Sequence, residues 1–428
     1  MREQEELIVG LDIGTTKICA VVGEITDDGI HIIGTGSHPS LGLRKGVIVN
    51  IESTIESIKK AIEDAEIMAG CEITNVYAGI AGSHMKGFNS HGIIAINGPE
   101  VTQNDVHRVL EAARAVAIPM DREVIHVLPQ EYIVDGQTGI QNPIVMAGVR
   151  LEVKIQIVTG AVASIHNIVK CANKAGLEIN DIILESLASG EAVLTPEEKE
   201  LGVALIDIGG GTSDIAVFSQ KTIKHTSVLP IGGNNMTNDI AVGLRTSLSD
   251  AELIKKEHGT CLIDHVSADQ SVEIPGIGGS KARQVPRQVV CEILEPRIEE
   301  LFTLINNDIY RARMENKIIS GMILTGGSSL LNGICDLAEK ITDHPVRIGK
   351  PKGIKGLTDV VNNPMYSTGV GLILHGSNHQ SKKRFRPKDK NIFSRILARM
   401  KSWFKEIVWW FIFIYYIVEN FINLKYTI

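Results

Sequence analysis

Two short apolar runs, Leu7 to Asp12 and Ile18 to Val22, flank the turn-forming stretch Gly14-Thr15-Thr16-Lys17, which predicts strand, tight turn, strand. Residues 201 to 218 repeat the arrangement. Leu11-Asp12-Ile13-Gly14-Thr15-Thr16 and Ile206-Asp207-Ile208-Gly209-Gly210-Gly211-Thr212 share an apolar-Asp-Ile-Gly strand ending, and each leads into a second apolar strand, Ile18 to Val22 and Ile215 to Phe218. The copies stand about 195 residues apart, a domain-sized period rather than a solenoid repeat. Two related α/β halves are expected.

Between them, Thr54 to Ala69 carries apolar residues at helical spacing and Val76 to Ile80 reads as a strand. Thr102 to Ala117 reads as a helix opened by Thr102 and Asp105 in capping-box fashion, with Pro119 beyond its end. Gly92 to Ile96, Glu123 to Leu128 and Leu151 to Val158 read as strands around it, a small αβ insert. In the second half, Met236 to Gly243, Asp250 to His258 and Arg287 to Ile309 predict helices, with a polar stretch, Val266 to Pro286, before the last. Lys317 to Leu324 predicts a strand that delivers Thr325-Gly326-Gly327-Ser328-Ser329 to the start of another helix.

At 428 residues the chain exceeds what one core of about 250–300 residues serves, so at least two domains are expected. The six cysteines are scattered without metal-ligand spacing and read as buried thiols of a reducing cytosol; no signal peptide is visible, so a cytoplasmic protein is expected. The net charge of −7 hides an asymmetry: residues 381 to 405 hold ten Lys/Arg against one Asp, leaving an acidic body that argues against nucleic-acid binding. Eleven of the 19 aromatic residues lie in the last 38 positions, so the tail has surroundings of its own.

A Gly/Thr hairpin at the carboxyl end of a strand gathers backbone N–H groups and hydroxyls around one point, which suits phosphate oxygens. Gly14, Thr15, Thr16 and Lys17, with Gly209, Gly210, Gly211 and Thr212, are therefore candidate phosphate ligands from two sides. Asp12 and Asp207, at the strand ends, are candidates to hold Mg2+ through water. Gly326, Gly327 and Ser328, read as a helix start, are suited to a phosphate or ribose. Neither G-x-x-x-x-G-K-[ST] nor G-x-G-x-x-G occurs, which excludes P-loop and Rossmann readings.

These elements, in this order, resemble the actin/Hsp70/sugar-kinase superfamily. Pro129-Gln130-Glu131-Tyr132, Gly202-Val203 through Thr212, Asp239-Ile240-Ala241, Glu295-Pro296-Arg297, Leu324 to Gly327 and Tyr366-Ser367-Thr368-Gly369-Val370-Gly371-Leu372 narrow the resemblance to the FtsA family of bacterial division proteins. The resemblance implies an α/β, actin-like (ribonuclease H-like) two-lobed ATPase fold. Residues 6–82, 160–200 and 360–376 would form subdomain 1A, 83–159 an inserted 1C, 201–232 with 315–359 subdomain 2A, and 233–314 subdomain 2B.

It further implies ATP or ADP with Mg2+, adenosine contacts at Gly233, Asn234, Glu252, Lys255 and Lys256, and self-association in actin-like filaments. It places the C-terminal peptide of FtsZ, the tubulin-like ring protein, near Arg287 and Arg297, and later division proteins on the 83–159 insert. Glu185 stands where ATPases of the superfamily often orient the attacking water, though Ser186 follows it where chaperone relatives have Pro; at most a weak ATPase is expected. Rival readings are an MreB-like shape-determining filament or a small-molecule kinase of the same fold.

Residues 377–390 read as a basic linker, and 391–428 as a membrane-binding tail. Phe393, Ile396, Leu397, Met400, Trp403 and Phe404 fall on one helical face, flanked by Arg395, Arg399 and Lys405. A basic amphipathic helix of this kind anchors to an anionic lipid surface, which predicts a peripheral protein on the cytoplasmic face of the inner membrane at the division site. Beyond it, Ile407 to Val418 is twelve unbroken apolar residues; at about 18 Å as a helix, it is short of the roughly 30 Å hydrocarbon core. It is read as deeper interfacial embedding or as an altered reading frame, not as a transmembrane span.

Overall fold

The computed structural model describes residues 6–276 and 281–379. The helix Ser367–Asn378 runs into the start of the 377–390 linker, whose first two residues are therefore helical; the rest of that linker from residue 380 and the amphipathic tail lie outside the described residues. Among those described, no helix is long and apolar enough to cross a membrane.

The predicted duplication is visible in the sheets. In the first, Glu6–Ile13, Lys17–Thr26 and Gly29–Pro39 form an antiparallel meander. Asn75–Ile80 and then Glu178–Leu184 add in parallel beside Glu6–Ile13, and Ile354–Gly356 closes the opposite edge. In the second, Val203–Ile208, Ser213–Ser219 and Thr222–Leu229 form the same meander, with Met322–Thr325 and Val346–Ile348 parallel to its first strand. Strands buried on both faces need continuous apolar runs, and Val203-Ala204-Leu205-Ile206-Asp207-Ile208 is buried throughout.

The halves share a core. Ile8, Cys19 and Val21 of the first sheet join Val203, Leu205 and Ala216 of the second in one apolar cluster. Two helices, Glu185–Val193 and Ser367–Asn378, cross there. Gly371 makes the crossing possible, because a Cβ at that position would overlap the carbonyl of Ala188. The glycines of the Tyr366–Leu372 phrase are therefore there for close backbone approach.

The insert is a four-stranded antiparallel sheet in the order Lys86–Ala95, Arg150–Ala161, Arg122–Val134, Gln137–Ile140, covered by the helix Gln103–Arg114. The capping box is present: Asp105 N donates to Thr102 Oγ1 at 3.2 Å and Thr102 N to Asp105 Oδ2 at 3.0 Å. Pro129 cannot donate to a ladder, and the pairing with Arg150–Ala161 slips there, with Lys154 opposite Glu131 and Ile155 opposite Pro129. The extra residue, Gln130, donates its amide to the carbonyls of Ile223 and Lys224 at 3.2 and 3.1 Å, docking the insert on the edge strand of the second half.

Two expectations need correction. The polar stretch Val266 to Pro286 contains a hairpin, Ser271–Ile274 with Arg283–Pro286, whose Val272 and Ile274 alternate into the core. Thr325 to Ser329 does not open an α-helix. Gly327–Leu330 is one 3-10 turn, Asn332 O accepts from Cys261 N at 2.8 Å, and the α-helix begins only at Ile334.

Candidate functional site

Both Gly/Thr turns close in the same way. Gly14 N donates to Lys17 O at 3.1 Å and Gly209 N to Thr212 O at 2.9 Å. The turns face one another: Thr16 Oγ1 lies 3.4 Å from Asn234 Oδ1, and Asn234 N donates to Gly210 O at 2.7 Å. The approach is so close that a Cβ on Gly210 would overlap the Thr16 hydroxyl, and one on Gly211 would stand 2.7 Å from Thr15 Oγ1. Thr15 Oγ1 is further held by Gly46 N at 2.9 Å. Lys17 is turned aside: its ammonium donates to the Met365 carbonyl at 2.9 Å and sits 4.2 Å over the Tyr366 ring.

The third loop joins them. Gly326 adopts φ of 82°, a conformation that costs a side chain dearly, and a Cβ there would run into Asp207 and the Ile208 carbonyl. Ser328 Oγ donates to Gly209 O at 3.0 Å, so this loop acts by direct contact with the second turn and not through a helix dipole. Gly233 N donates to the same carbonyl at 2.9 Å. Lys255 Nζ donates to Gly233 O at 3.1 Å, Thr237 Oγ1 at 2.8 Å and Glu252 Oε2 at 2.7 Å. Lys256 lies outside, paired to Glu252 at 3.2 Å and exposed. The residues expected at adenosine are thus brought together, with Lys255 innermost and Lys256 at the rim.

Beneath the turns lies a cluster of carboxylates. Asp207 is buried, and its Oδ2 accepts from Ser189 Oγ at 2.6 Å and Thr368 Oγ1 at 3.3 Å, one residue from each crossing helix. Asp214 was missed in the sequence. It is the cross-strand partner of Asp207, where Cys19 is the partner of Asp12 in the first copy. Its pKa is pushed from 3.8 to about 8 by burial first and by Asp207 second. Burial, with Asp207 adding and Lys17 opposing, raises Asp12 to about 6. Glu185, the first residue of its helix, is raised well above the carboxylate range by burial and then by Asp12, Asp214 and Asp207.

This donor set fits a magnesium ion. All donors are oxygens, Asp214 Oδ1 is buried without a hydrogen-bond partner, and the mutual repulsion of the carboxylates calls for a cation.

Arg287 and Arg297 are engaged within the chain. Arg287 donates to the His258 carbonyl and to Gln270 Oε1, each at 2.8 Å. Arg297 forks onto Asp239, with Nη2 to Oδ1 at 3.2 Å, and also pairs with Glu300. The quoted Asp239 and Arg297 phrases therefore meet in space as an ion pair. The tail residues Phe393 to Lys405 lie outside the described residues.

Two sheets built on matching three-stranded meanders around facing Gly/Thr turns, with an extra αβ insert in the first half, define an actin-like two-lobed protein. Solved structures agree on that fold: a PilM–PilN type IV pilus biogenesis complex (TM-score 0.63, 16% identity, 86% of this chain and 98% of that one) and MreB5 of Spiroplasma citri bound to ADP (0.54, 15%, 87% and 97%). The family described as Cell division protein FtsA matches residues 204–371, and the SHS2 domain inserted in FTSA matches 82–159. Proteins named Cell division protein FtsA are 50% identical in Pseudomonas aeruginosa (93% of this chain, 97% of that one), 43% in Neisseria meningitidis serogroup B (94% and 99%) and 41% in Escherichia coli K12 (95% and 97%). The chain belongs to the FtsA family of cell division proteins.

Proposed function

We propose that this protein binds ATP with Mg2+ between its lobes, self-associates along actin-like filaments, and tethers FtsZ to the cytoplasmic face of the inner membrane at the division site. The observation that carries the nucleotide reading is the pair of matched turns closing on one another directly above the buried carboxylates. Backbone N–H groups and the Thr15, Thr16 and Ser328 hydroxyls would receive phosphate oxygens, and Asp12, Asp207 and Asp214 would hold the hydrated ion. The bound ion supplies positive charge against the phosphates; the chain supplies orientation.

Turnover is weak on this reading. Burial and the neighbouring Asp12, Asp214 and Asp207 raise Glu185, which disfavours the ionised form that would take a proton from an attacking water, and nucleotide acts on assembly. On this reading the chain divides into a first lobe (6–82, 160–200, 360–376), its insert (83–159), and a second lobe of two parts (201–232 with 315–359, and 233–314), the insert meeting later division proteins. The tail at 391–428, on its basic linker, supplies the membrane attachment. Deleting 391–428 is expected to abolish co-sedimentation with anionic vesicles while leaving ATP binding intact. Unchanged sedimentation defeats the anchor.

A further inference from the structure

The two crossing helices that hold Asp207 with Ser189 and Thr368 meet a second time at their far ends, where Glu191, His375 and His379 come together. One ligand atom from each lies within 4.8 Å of the others. His375 and His379 are four residues apart on one helical face, and their rings stack at 4.1 Å with 20° between planes. His375 Nδ1 lies 2.7 Å from Glu191 Oε1.

Three details make this a site and not a chance grouping. The Glu191 Oε2 oxygen is buried and has no hydrogen-bond partner, so a carboxylate lone pair is held ready. His379 Nδ1 lies 2.9 Å from the His375 carbonyl; a carbonyl only accepts, so Nδ1 carries the proton and Nε2 keeps its lone pair. A backbone carbonyl holding the rear N–H is the usual support of a ligating histidine. The helix is also fixed in register, since a Cβ on Gly376 would press within 2.6 Å of Ile8 and Tyr77.

We propose that Glu191, His375 and His379 bind one transition-metal cation of the Zn2+ kind. Two imidazoles and one carboxylate suit Zn2+ in place of Mg2+ or Ca2+, and leave a fourth position for water. The neighbouring histidine, His126, adds no competing charge, because burial lowers it to about 4 and its Nε2 accepts from Leu184 N at 3.0 Å. Lys199 is the cation that otherwise accompanies Glu191, near enough to feel its charge. The site joins the helix carrying Glu185 and Ser189 to the helix whose last residues precede the basic linker.

The test is titration of the metal-stripped full-length protein with Zn2+ by calorimetry, against a chelator of known affinity. One Zn2+ per chain is expected, weakened at least tenfold in His379→Ala and in Glu191→Gln, and unchanged in His107→Ala, an exposed control. Because His379 is exposed, its variant keeps the wild-type melting temperature without metal. Wild-type affinity retained in His379→Ala or in the His375→Ala/His379→Ala pair overturns the proposal, since the metal would then be held elsewhere; so does a wild-type protein that binds none.

Discussion

Asp207 and Asp214 face each other across one hairpin, both buried, while the equivalent pair in the first half is Asp12 and Cys19. The duplication has therefore placed its extra carboxyl in the second lobe. Four acidic residues whose carboxyls are all pushed upward share the space under the turns.

The sign of the resulting pH dependence follows from linkage. A carboxyl raised in the folded state binds more protons folded than unfolded, so its contribution is complete below 3.8 and is lost as pH climbs through the folded value, about 6 for Asp12 and about 8 for Asp214. Without nucleotide and Mg2+, the melting temperature should fall between pH 5 and 8.5. Asp214→Asn should flatten that fall, and thermal denaturation across the range reads both.

Gly210→Val should lower the affinity for a fluorescent ATP analogue by at least tenfold. The structure gives the cause: the side chain overlaps Thr16 and wedges the turns apart. Fluorescence titration at fixed Mg2+ measures it, with normal affinity placing the site elsewhere.

Ser189→Ala removes a 2.6 Å bond to Asp207 that the Thr368 hydroxyl, itself 3.0 Å from Ser189, only partly replaces. A loss of about 1–3 kcal/mol is expected in urea unfolding.

For Arg297 the ion pair with Asp239 separates structure from partner binding. Arg297→Glu alone should lower the melting temperature, and adding Asp239→Arg should restore it. If Arg297 also meets the acidic FtsZ peptide, peptide affinity measured by fluorescence anisotropy stays low in the restored double variant. Full peptide binding there, and in Arg287→Glu, removes both arginines from that contact.

Much of the fold was legible because duplication wrote the same apolar-Asp-Ile-Gly ending twice, and because the Thr102 and Asp105 cap is a local signal. Asp214 was not, since one acid within the otherwise apolar strand Ser213–Ser219 looks like an exposed face until register sets it opposite Asp207. The Gln137–Ile140 strand has a single apolar residue of strand type and is made by pairing alone. The Glu191 and His375 contact spans residues that only the crossing of two helices brings together.

On the proposed function the protein tethers FtsZ to the membrane and nucleotide acts on its assembly, so attachment of FtsZ should follow nucleotide state. The most direct measurement adds purified protein and FtsZ to anionic liposomes, with Mg2+ and either ATP, ADP or no nucleotide, and follows FtsZ in the pelleted fraction. The account predicts FtsZ in the pellet with ATP and little without it, and loss of the ATP effect in Gly210→Val. Equal recruitment in all three conditions would contradict it.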